Sequence, residues 1–97
     1  MAWPPVRQHL AAACDPAALH VLGYARGFTL WHYRTPAPLE AVARPGYFNG
    51  ARHLLRPGDR IAVNVHRDGR FLAAGDFCVS ATGAEVRLTP LTAVAGP

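Results

Sequence analysis

Few residues in this chain are of types that do chemistry, and their spacing gives each a structural explanation. Ser80 is the single serine, and no Gly-x-Ser-x-Gly frame surrounds it. Cys14 lies in an Ala-rich stretch and Cys78 in an alternating run, so the pair reads as two small buried hydrophobes rather than a disulfide framework. His9, His20, His32, His53 and His66 are dispersed, with no CxxC or HxxxH spacing to another ligand, so no metal site is predicted. Asp59 and Asp76 could approach as a carboxylate pair, but Asp59 sits in a Pro-Gly-Asp-Arg turn, where a short acceptor bonds local backbone. The glycines are isolated at turns instead of following a strand and opening a helix, so no phosphate loop is encoded. The sequence therefore predicts no catalytic residue, no cofactor and no metal.

The elements that would position these residues belong to one small domain of 97 residues, 51% hydrophobic and 16% charged. Small domains bury a modest share of their surface and draw extra stability from disulfides, metals or neighbouring copies. With the first two unsupported, self-association or docking on a partner is the expected source. No run of about 18 apolar residues predicts a membrane span. The LAAAC run at 10–14 is a poor lipoprotein box, because Leu10 is one place too far from Cys14 and Arg7, Gln8 and His9 stand where an apolar stretch belongs. The mature chain is expected to start near Met1.

The formal charge is +4, and all ten basic residues are arginine. Together with abundant Ala, Gly and Pro this reflects GC-rich coding, which makes basicity a weak pointer to nucleic acid. The alternative reading, a small basic nucleic-acid-binding β-barrel, rests on Arg52, Arg56, Arg60, Arg67 and Arg70, with Trp31, Tyr47 and Phe48 as stacking groups. The spread of Arg7, Arg26, Arg34, Arg44 and Arg87 favours a solvated face instead.

Residues 1–26 read as an N-terminal arm with short helical turns. Val6, Leu10 and Ala13 have helical spacing; Asp15 is placed to cap a second turn opening at Pro16 and closing at Gly23 after Leu19 and Leu22. Residues 27–97 read as a single β-rich domain. The GFTLWHYR run at 27–34 is a strand with large apolar groups on both faces, which predicts burial on two sides, either in a sandwich or at a subunit contact. After the prolines at 36 and 38 and a short segment at 39–43, Tyr47, Phe48, Ala51, Leu54 and Leu55 fit a brief helix stopped by Pro57-Gly58. Ile61, Val63 and Val65 alternate, and Asp68-Gly69 is a type I′ candidate for a hairpin into Phe71-Leu72. Phe77, Val79 and Ala81 continue the alternation, residues 82–85 turn, and Val86, Leu88 and Leu91 give a closing strand ahead of a weak tail. Five or six short strands and one short helix predict a mainly β fold, a small antiparallel barrel or sandwich.

LWHYRTP at 30–36, GYFNGARHLLRPGDRI at 46–61 and an apolar segment ending in LTPLTA resemble short accessory structural proteins of tailed phages, prophages and gene transfer agents. The resemblance spans residues 28–91, and the middle block is its distinctive part. It implies a non-enzymatic virion component, a head decoration or the base joining a spike or fibre to the capsid, assembled in the bacterial cytoplasm. Implied partners are further copies of the chain, a capsid protein and a spike or fibre protein, without membrane insertion. The arm at 1–26 and a long hairpin at 64–72 depart from the pattern and are expected to carry specific attachment. Trp3, Val6 and Leu10 in the arm, with Trp31, Tyr33, Tyr47 and Phe48 as core or contact aromatics, are the interface candidates.

Overall fold

The computed structural model describes residues 13–96. Trp3, Val6 and Leu10 lie outside the described residues. The rest is mainly β, built on one five-stranded sheet in the order β1 (Leu19–Ala25), β2 (Phe28–Thr35), β3 (Arg60–Arg67), β4 (Arg70–Ala81) and β5 (Arg87–Ala95). The sheet does not close into a barrel, because β1 and β5 are its two ends. It is also mixed: β2 and β3 run parallel, while the other neighbours are antiparallel. Parallel neighbours need a long crossover, and here it is the segment from Pro36 to Asp59, containing helix α1 (Leu39–Val42) and a 3-10 turn at Asn49–Ala51.

Strand parity explains what this crossover covers. Thr29, Trp31, Tyr33 and Thr35 from β2, Ile61, Val63 and Val65 from β3, and Phe77 and Val79 from β4 all lie on one face and are buried. They pack with Ala41, Val42, Tyr47, Phe48, Ala51 and Leu55 of the crossover. Burying each large apolar side chain contributes about 1.5–3 kcal/mol. Tyr33, Tyr47 and Phe48 meet edge to face with centroids 6.2, 5.0 and 5.1 Å apart, adding about 0.5–1.5 kcal/mol per pair. Gly75 lets α1 approach closely, since a Cβ there would stand 3.1 Å from Phe77 and 3.3 Å from Leu39.

The β3–β4 hairpin turns through Asp68 and Gly69, at φ of 53° and 75°. Two positive φ values in a two-residue turn are the type I′ requirement that the Asp-Gly pair predicts. Asp15 caps as expected, its Oδ1 accepting from Ala17 N at 3.1 Å over the 3-10 turn Pro16–Ala18.

Three expectations are corrected and a fourth is narrowed. Residues 19–25 form an edge strand instead of a second helical turn, because pairing with β2 outweighs local spacing. The 47–55 segment buries Tyr47, Phe48, Ala51 and Leu55 but leaves Leu54 exposed, and it winds only the turn at Asn49–Ala51; the α-helix is the four-residue α1 upstream. The tail beyond Thr92 continues β5 to Ala95, held to β4. Of the two ways β2 could be buried on both sides, a second layer within the chain is not seen among the described residues, where Leu30 and Arg34 are exposed and Phe28 and His32 half-buried; a subunit contact on that face belongs to the assembly.

Candidate functional site

Asp59 is the most connected polar residue of the core. It is 1% exposed and follows Gly58, whose φ of 98° turns the chain into β3. Its carboxylate accepts from Thr29 N at 2.9 Å, Trp31 Nε1 at 3.1 Å and Arg56 N at 3.1 Å. The Arg56 bond is the local turn contact that the sequence predicts. The other two reach β2, so this carboxylate joins two layers and has the donors a buried charge requires. Its role is structural.

A second network fixes the start of the described chain. Asp15 N donates to Tyr33 Oη at 3.0 Å, Tyr33 Oη and Tyr47 Oη share a hydrogen bond at 3.0 Å, and Cys14 N donates to Tyr47 O at 2.9 Å. Burial, reinforced by the bond to Tyr33, pushes the Tyr47 phenol well above the ordinary tyrosine value. Burial likewise pushes the Cys14 thiol up, which keeps it protonated and a poor nucleophile. Both cysteines are free and half-buried.

Other candidate nucleophiles are engaged locally. Ser80 Oγ donates to Arg87 O at 3.1 Å, and Cys78 Sγ to Val79 O at 3.7 Å. Asp76 is exposed on the sheet face opposite to the Asp59 side, so the two carboxylates do not pair. No hydrogen bond among the described residues joins a histidine to a serine or cysteine, and no three His, Cys, Asp or Glu side chains there converge as a metal centre.

The interface aromatics among the described residues are interior: Trp31 is 7%, Tyr33 1%, Tyr47 3% and Phe48 1% exposed. They are core residues of a single copy, so neither subunit contact nor base stacking is open to them without rearrangement. The arginines of the nucleic-acid alternative are dispersed and partly engaged by the fold. Arg52 donates to Ala84 O at 2.9 Å, Arg60 lies 5.5 Å above the Phe28 ring, and Arg67 donates from Nε to Pro36 O at 2.7 Å. Arg60 and Arg67 stand at opposite ends of β3, about 23 Å apart at a strand's usual rise. Arg56 and Arg70 are exposed at either end of the same region, in the turn before β3 and at the start of β4.

Two surfaces that sequence patterning misses emerge instead. The first is the outer edge of β1, where Val21, Leu22 and Tyr24 are 41%, 59% and 80% exposed. The register slips between Val21 and Gly23, leaving Leu22 without a cross-strand partner. The second is a groove of about 810 Å³ on the uncovered sheet face, lined by His20, His32, Arg34, His66, Arg67 and Asp68 among others. The register builds it: His20 stands opposite His32 across β1 and β2, and Arg34 opposite Asn64 across β2 and β3. His32 Nε2 is 2.9 Å from Asn64 Oδ1. The alternation of β2 already puts His32 on the face away from Trp31; what the sequence lacks is the identity of the neighbouring strands. No protein-family model, curated protein or solved structure matches the chain.

Proposed function

We propose that this chain is a non-enzymatic structural component of a phage-like or gene transfer agent particle, a self-associating base or adaptor that ties a head spike or fibre to the capsid. The observation that carries the reading is the edge strand β1. Exposed strand edges are ordinarily blunted with charge or proline; the LHVLGYA of β1 has no formal charge and no proline, and it exposes Val21, Leu22 and Tyr24. Such an edge suits pairing with another chain, and a homo-oligomer supplies one. The blocks that resemble virion accessory proteins support the same role, since they supply β2, the crossover and the Asp59 turn, all of them scaffold. Light-scattering mass measurement tests it: the protein is expected well above the 10.4 kDa of one copy, with Leu22→Lys shifting it towards that value and weakening its recovery with particles. A monomer that behaves like its Leu22→Lys variant and is missing from particles removes the reading.

A further inference from the structure

We infer that the groove across β1, β2 and β3 is a docking site for an acidic, carboxylate-bearing segment of a partner protein. The inference deepens the adaptor reading and rests on it for the choice of a protein as partner; the groove's charge and shape stand independently. Arg34 is exposed and has no ion-pair partner among the described residues, where the one ion pair is Arg87 with Glu85 at 2.8 Å. Arg67 is tethered through Nε to Pro36 O at 2.7 Å, which holds the guanidinium still and leaves its two amino groups without a partner among the described residues. Two imidazoles, His20 and His66, add hydrogen-bond donors across the floor, while the Nε2 of His32 is engaged by Asn64 Oδ1. Against these stands one lining acid, Asp68, in the tight turn at the rim.

Arginine forks match carboxylates in two-bond geometry, and a guanidinium tethered in advance loses less freedom on binding. Nucleic acid would also seek cationic groups, but single strands draw much of their affinity from stacking on aromatic faces. Here no Phe, Tyr or Trp lines the groove, and Trp31, Tyr33, Tyr47 and Phe48 are buried in the core on the other side of the sheet. A protein segment rich in Asp and Glu is the ligand these donors fit.

The test uses the full chain and three fluorescent probes: a ten-residue Asp/Glu-rich peptide, its Asn/Gln counterpart and a single-stranded oligonucleotide. Anisotropy titrations run beside light-scattering mass. The acidic peptide is expected to bind at least tenfold tighter than the other two, and Arg34→Gln together with His20→Gln, both at exposed positions, to weaken it about tenfold with melting temperature unchanged. Acidic-peptide binding equal to that of the Asn/Gln peptide, or insensitive to the substitutions, overturns the groove while an oligomeric mass leaves the adaptor standing. Tight peptide binding by a monomer keeps the groove and overturns self-association. Oligonucleotide binding at equal or greater affinity overturns the choice of a carboxylate partner.

Discussion

The two faces of the sheet come from the same strands and differ in everything but backbone. On the covered face, Trp31, Tyr33, Ile61, Val63, Val65, Phe77 and Val79 are sealed under the crossover, and the buried Asp59 carboxylate meets three N–H donors. On the open face, one residue along in each strand, stand Leu30, His32, Arg34, Asn64, His66 and Asp76, none of them buried. Stability is thus concentrated on one parity of β2, β3 and β4, and exposed polar and basic groups on the other. A substitution's consequence should follow its parity more closely than its residue type.

The largest expected effect tests the covered face. Asp59→Ala removes the acceptor of Thr29 N, Trp31 Nε1 and Arg56 N together, and buried donors left unpaired cost about 1–3 kcal/mol each before relaxation. A loss of about 3–5 kcal/mol in urea unfolding is expected; a loss under about 1 kcal/mol would show that the hub is dispensable.

Tyr47→Phe removes one hydroxyl from the Tyr33 and Tyr47 pair and is expected to cost about 1 kcal/mol at neutral pH. Its larger signature is alkaline. Burial raises the folded-state value of Tyr47 above that of an unfolded chain. The stability it supplies is therefore complete below about pH 10, where an unfolded-chain tyrosine ionises. Above that it is lost as pH rises towards the folded value, at up to about 1.4 kcal/mol per pH unit. The chain has no lysine, so lysine titration does not overlie that window, and contributions common to parent and variant cancel in the comparison. Unfolding midpoints between pH 9 and 11 should fall more steeply for the parent than for the variant, and parallel curves would discard this account.

The smallest effect sharpens the contrast. Arg34→Gln on the open face should leave stability within about 0.5 kcal/mol, because no described contact is lost. A cost comparable to that of Tyr47→Phe would mean that the open face also carries part of the fold.

What the sequence reveals follows the range of the forces involved. The Asp68-Gly69 turn, the Asp15 cap and the alternation of β2 and β3 are local, and each stands where residue types predict. Leu19 and Leu22 have helical spacing behind a capping Asp-Pro, yet they lie in a strand because β2 offers them backbone partners. Thr92 to Ala95 are small and weakly β-forming, and β4 recruits them in the same way. The groove was illegible for a related reason. His20, His32 and His66 are neighbours through strand order and a parallel crossover, neither of which is written in their spacing. Asp59 was legible as a turn residue but not as the link to β2.

Strand β1 holds the sheet through one neighbour and buries a single residue, Leu19. Its amides should therefore exchange with solvent through local fraying, well before the interior strands open. A chain docked along its outer rim would slow that exchange, so that the protection of these amides would report whether the rim is occupied.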